Sequence, residues 1–219
     1  YDAAYRRVMD SGRWILGPEL LAFEQSFATH LGRRHAIGVG NGLDALTLAL
    51  QVSGIGPGDE VLVPAHTFIA TWLAVRQCGA IPRAVEPADG SYCIDAAGVA
   101  AAISPATRAV LPVHLYGQPA DPSAMRALCA ERGLLMIEDA AQAHGARHQG
   151  EAVGGFGRLA CYSFYPGKNL GAFGDAGAVV TDDDALAEAL RARRNYGSHT
   201  RYAHDSEGVN SRLDELQAA

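Results

Sequence analysis

Paired cysteines are missing from this sequence. Its four, Cys78, Cys93, Cys129 and Cys161, are scattered without a CxxC pair, which argues against a zinc ribbon or a disulfide framework and suits free thiols in a reducing cytoplasm, the expected location. The eight histidines show no metal-ligand spacing, so no metal is expected. Positive charge is also short: 18 Lys and Arg stand against 24 Asp and Glu, a net charge of −6. Without a basic stripe the chain does not read as a nucleic-acid binder, although a local patch for a phosphorylated small molecule stays open. No run approaches the roughly 18 apolar residues of a membrane span, and the first residues do not read as a charged-then-apolar leader. No repeat, low-complexity segment or Pro/Gly/Ser linker divides the chain.

What is there is a 219-residue chain, 48% hydrophobic and 19% charged, able to bury a sizeable core as one large domain or one and a half small ones. It begins at Tyr1 without a methionine and stops within what reads as the first turns of a helix at residues 214–219. A fragment is expected. Residues 18–31 read as an amphipathic helix, with Pro18 at its first position and Gly32 at its end. Strand-then-helix pairs follow at 35–39 and 43–52, 60–63 and 67–77, 81–85 and 95–103, and 108–113 and 122–132, with a strand at 134–138. Repeated units of this length imply an α/β fold with a mainly parallel sheet and helices on both faces. Ligands bind such sheets outside the carboxyl ends of the strands.

The most informative stretch is Ser163-Phe-Tyr-Pro-Gly-Lys168-Asn-Leu170 followed by Gly171-Ala-Phe-Gly-Asp-Ala-Gly177. One lysine sits in a glycine-rich turn between two apolar, strand-like runs, 159–164 and 177–181. A lysine held beside the core there is expected to be buried, and a buried amine becomes a usable nucleophile. Gly38-Val-Gly40-Asn-Gly42-Leu-Asp44 leads from a strand into a helix, where free amides and the helix dipole favour a phosphate. Gly40-x-Gly42-x-x-Ala45 also satisfies a loose dinucleotide fingerprint. Val63-Pro-Ala-His-Thr-Phe68 places a ring at the same edge, either for core packing or for stacking on a flat heteroaromatic. The run Glu138-Asp139-Ala-Ala-Gln142-Ala-His144 is expected to bring two acids, an amide and an imidazole there. A carboxylate at the end of a buried strand needs a cation, and nearby sequence supplies none. A lysine, an acid, an aromatic ring, amides and a hydroxyl at strand ends are the parts that pyridoxal 5'-phosphate requires.

These stretches, with Trp14-Ile-Leu-Gly-Pro-Glu19, Gly58-Asp-Glu-Val61 and Asn210-Ser-Arg-Leu-Asp-Glu-Leu-Gln-Ala218, resemble the DegT/DnrJ/StrS family of sugar-nucleotide aminotransferases over nearly the whole chain. The resemblance implies the large domain of a fold-type-I, aspartate-aminotransferase-like enzyme, spanning 18–219. Residues 1–17 would pack on it, and the C-terminal small domain would be missing. It implies pyridoxal 5'-phosphate as cofactor, with pyridoxamine 5'-phosphate as the intermediate form. Lys168 would bond the cofactor, Asp139 would pair with its pyridinium nitrogen and Gln142 would neighbour its ring hydroxyl. Phe68 would stack on the ring, and Gly42, Leu43 and Ser163 would hold the phosphate. Asn210 would reach the phosphate in the partner subunit of a homodimer with shared active sites. Some relatives carry histidine in place of the lysine and are dehydratases; Lys168 is retained here. His114-Leu-Tyr-Gly-Gln-Pro119 and Gly174-Asp-Ala-Gly177 are similar to the branch that aminates C3 of nucleotide-linked 3-keto-6-deoxyhexoses, with glutamate as donor. Two other readings compete. A dinucleotide-dependent oxidoreductase would leave Lys168 without a role, and a catalytically silent regulatory or scaffold protein would bind the cofactor without turnover.

Overall fold

Apolar strands alternating with amphipathic helices build an open, twisted sheet. The computed structural model describes residues 1–200 and 202–219. Along the chain run α1 (Asp2–Ser11), α2 (Pro18–Leu31), β1 (His35–Val39), α3 (Gly42–Val52), β2 (Glu60–Pro64), α4 (Ile69–Gln77), β3 (Ile81–Val85), α5 (Ala96–Ala102) and β4 (Thr107–Val110). After a 3-10 turn (Leu115–Gly117) come α6 (Pro122–Arg132), β5 (Leu135–Asp139), a short hairpin of β6 (Arg147–His148) and β7 (Glu151–Ala152), β8 (Leu159–Ser163), β9 (Gly177–Thr181), α7 (Asp184–Arg193) and α8 (Glu215–Ala218). Among the described residues seven strands form one sheet in the order β1-β9-β8-β5-β4-β2-β3. Of these, β9 alone runs against the others. The expected α/β architecture is therefore present.

Side chains alternate along each strand, and the core divides accordingly. Ile37, Val61, Val63, Ile137, Leu159 and Val179 share one apolar cluster with Leu46 of α3, Val75 of α4 and Leu190 of α7. Their sequence neighbours face the other way. Ala160, Tyr162 and Val180 pack with Leu20 and Phe27 of α2, and Leu62, Val110 and Met136 pack with Val99 of α5 and Met125 of α6. Each fully buried aliphatic side chain contributes about 1.5–3 kcal/mol, so both helical layers are held to the sheet. Among the described residues no helix is long and apolar enough to cross a membrane.

Some boundaries move from their sequence expectations. α4 starts at Ile69 instead of residue 67, because Phe68 is extended (φ −69, ψ 143) and no side chain caps the helix earlier. β4 stops at Val110 instead of residue 113, since Pro112 has no N–H to continue the ladder. Its carbonyl still accepts from the Asp139 N–H at 2.9 Å. α1, α7 and the β6–β7 hairpin were not foreseen. α7 carried a readable signal in Asp183, which accepts from the N–H groups of Ala185 and Leu186. The final helix is present, with Asp214 as its cap. Glu215 does something else: its buried carboxylate accepts from the N–H groups of Gly17 (2.8 Å), Glu19 (2.9 Å) and Leu20 (3.2 Å). An acid from the far end of the chain thus satisfies the exposed donors and dipole of α2.

Candidate active site

A cavity of about 550 Å³ opens where β5 and β8 end against α3 and α4. Seven of the eight predicted site residues line it: Gly42, Leu43, Phe68, Asp139, Gln142, Ser163 and Lys168. Asn210 lies outside it, exposed, with its backbone bridged to Asn195.

One end of the cavity presents hydrogen-bond donors. At the start of α3 the Asn41 side chain accepts from Asp44 N–H at 2.8 Å, while the N–H groups of Gly42 and Leu43 find no partner among the described residues. Ser163, at the end of β8, lies directly opposite. A Cβ on Gly42 would sit 2.7 Å from the Ser163 Cβ, so only glycine fits this approach. Two free amides on a helix N-terminus beside a hydroxyl form a site for a phosphate dianion.

The other end is acidic and aromatic. Asp139 is buried, and among the described residues no cation lies within ion-pairing distance of it. Its Oδ2 accepts from the Thr71 hydroxyl at 2.9 Å and its Oδ1 from Ala141 N–H at 3.1 Å. Burial raises its carboxyl above the usual value against the opposing pull of those two bonds and of the Lys168 charge. Phe68 is 67% exposed, which rules out the core-packing alternative for its ring. Gln142 Oε1 accepts from Tyr116 N–H at 2.8 Å, which fixes the amide and leaves Nε2 as its donor.

Lys168 sits on the connection between β8 and β9, its N–H bonded to the Tyr165 carbonyl at 2.8 Å. It is half-buried, not buried as the sequence implied, because the loop stands at the cavity mouth. It is also the one lysine of the sequence. That count was legible before the fold and is the signal that spacing arguments passed over.

Two residues expected at this edge are elsewhere. Glu138, one step from Asp139 on β5, faces the opposite side of the sheet and bonds to His114 Nε2 at 3.0 Å. His114 Nδ1 accepts from Ala120 N–H at 3.1 Å, so Nε2 carries the hydrogen donated to Glu138. His144 packs against the rings of Tyr162 and Phe164, and burial pushes it down to about 4. The dinucleotide fingerprint also fails. β1 is an edge strand paired with antiparallel β9, whereas that motif follows the central first strand of a doubly wound sheet.

Comparison with known proteins agrees with this geometry. The model of the DegT/DnrJ/EryC1/StrS aminotransferase family matches residues 2–219. The chain is 59% identical over 218 residues to dTDP-3-amino-3,4,6-trideoxy-alpha-D-glucose transaminase of Streptomyces venezuelae, covering all of this chain and 58% of that protein. It superposes with a TM-score of 0.97 and 59% identity on the crystal structure of S. venezuelae DesV in complex with a ketimine intermediate, covering 99% of this chain and 58% of that one. Bacillus subtilis NtdA, solved with bound cofactor PMP, is 35% identical with a TM-score of 0.94, covering 99% of this chain and 49% of that one. The chain thus spans about half to three-fifths of the length of these relatives. On sequence and fold, it belongs to the DegT/DnrJ/EryC1/StrS aminotransferase family.

Proposed function

We propose that the protein of which this chain forms part is a pyridoxal-phosphate aminotransferase that moves an amino group from glutamate to a keto group, at C3, of a nucleotide-diphosphate-linked keto-6-deoxyhexose. The observation that carries this reading is the pairing, in one cavity, of the sequence's one lysine with a buried carboxylate that has no ion-pairing cation among the described residues. The donor set fits the cofactor. Gly42, Leu43 and Ser163 match its phosphate, Phe68 its ring face, Gln142 Nε2 its ring hydroxyl, and Asp139 its pyridinium nitrogen. When bound, the protonated ring supplies an electron sink.

The chain's own residues would do the rest. Asp139 would hold a proton on the ring nitrogen. Lys168 Nζ would be the reversible covalent partner of the cofactor's carbonyl carbon and, once freed by the incoming amine, the base that takes and returns a proton at the donor carbon, and at the sugar carbon in the reverse sense. General acid–base work of this kind is worth about 10²–10⁴-fold. The names of the relatives support the sugar-nucleotide substrate. We assign residues 18–219 to the cofactor-binding large domain with 1–17 packed on it. We place the enzyme in the cytoplasm as a homodimer, in which exposed Asn210 reaches the partner's phosphate site.

Borohydride reduction of the full-length holoenzyme tests the assignment. A phosphopyridoxyl mass increment is expected on the peptide containing Lys168, and the cofactor absorbance should shift on adding glutamate. A label on another residue sinks the role of Lys168. A band inert to every amine donor favours the scaffold reading, and the absence of a band removes the cofactor altogether.

A further inference from the structure

Thr71 lies in the first turn of α4, is 1% exposed, and sends its hydroxyl hydrogen to Asp139 across 68 residues of sequence. A threonine in a helix has a ready alternative, since its hydroxyl can bond a carbonyl one turn back. Here the hydrogen goes to the acid instead. An ionised carboxylate accepts and cannot donate, so the 3.0 Å contact between the Thr67 and Thr71 hydroxyls has one polarity: Thr67 donates and Thr71 accepts. Two hydroxyl dipoles therefore point in series at one carboxylate oxygen, and such chains polarise one another. Ala141 N–H holds the second oxygen. The acid is clamped from both sides, and the segment that clamps it, residues 67–71, also presents Phe68 to the cavity.

We propose that Thr71, oriented by Thr67, is a positioning residue: it keeps Asp139 ionised and aimed at the ring nitrogen, and it ties that acid to the helix start that carries Phe68. The inference rests on the cofactor reading above.

Pyridoxal phosphate labelled with ¹⁵N in its ring tests it, bound to the full-length protein. Thr71→Val removes the hydroxyl while keeping the branched shape; Thr71→Ser restores it. Wild type and Thr71→Ser should show the chemical shift of a protonated pyridine. Thr71→Val should move the signal toward the unprotonated value and weaken cofactor binding by about 10- to 100-fold, the scale of one hydrogen bond to a buried charge. An unchanged ring signal in Thr71→Val, or a Thr71→Ser variant that behaves like valine, overturns the proposal. If Thr71→Val does not fold, Thr67→Val decides, because Thr67 reaches Asp139 only through Thr71. A smaller shift in the same direction supports the relay and no shift overturns it. A wild type that binds no cofactor overturns both this inference and the reading beneath it, whereas normal binding with an insensitive ring nitrogen overturns this inference alone.

Discussion

Glu138 and Asp139 follow one another at the end of β5, both buried, on opposite faces of the sheet. Glu138 takes hydrogen bonds from His114 and from the N–H groups of Gly154 (2.9 Å), Phe156 (2.9 Å) and Gly157 (2.6 Å). Asp139 takes two bonds, and the rest of its capacity faces the cavity. Burial pushes both carboxyls up. At Glu138 the His114 bond and the backbone amides outweigh burial and hold it below the usual range; at Asp139 burial wins. The role of a buried carboxylate is thus read from its donors. A saturated acid is a joint between loops, and an unsaturated one awaits a cation.

The largest expected effect strips the cavity of its amine. Lys168→Ala should abolish turnover and leave no reducible cofactor adduct, read by product formation and intact mass. Retained activity would remove Lys168 from the covalent chemistry.

Next come paired substitutions at the two acids. Asp139→Asn should lower kcat by about 10²–10³-fold, the scale of one lost preorganised electrostatic contact, while the phosphate cradle still binds cofactor and the melting temperature barely moves. Asp139→Glu should be milder. Glu138→Gln should do the reverse, removing about 1–3 kcal/mol of stability by leaving buried donors unpaired with kcat nearly intact. If Glu138→Gln strikes kcat without touching stability, the division between joint and site fails.

The smallest effect is the pH dependence of the cofactor-free protein. Glu138 is depressed in the fold, so its stabilisation is present above its unfolded value of about 4.3 and is lost as pH falls through the lower folded value. Asp139 is raised, so its contribution is complete below its unfolded value of about 3.9 and declines as pH rises through the folded one. Denaturant midpoints across mildly acidic pH should therefore lose their acid-side fall in Glu138→Gln and lose an opposing decline in Asp139→Asn. Identical profiles in the two variants would show that the carboxyls are equivalent.

Much of the architecture was legible because its signals are local. Pro18 and Gly32 bracket α2 as expected, and the strand at 177–181 is where its apolar run placed it. The lysine turn was legible too, since glycines and flanking apolar runs mark a strand–turn–strand connection. Glu138 was misplaced for a definite reason. Parallel strands buried on both faces read as continuous apolar runs with no alternation, so nothing local says which of two adjacent acids faces the site. The half-buried state of Lys168 was equally hidden, because it depends on how far the connecting loop stands from the sheet.

By itself the sequence determined the order of strands and helices, the glycine start of α3 at Gly42, and the placing of its one lysine, Lys168, in the turn between two strands. Periodicity, capping residues and a residue count act over a few positions and need no partner. Only the tertiary structure decided that Asp139 and not Glu138 enters the cavity, that Thr71 clamps it, and that Glu215 caps α2. Those outcomes depend on donors brought together across 68 and nearly 200 residues of chain, and a hydrogen bond is specified by where two groups meet in space.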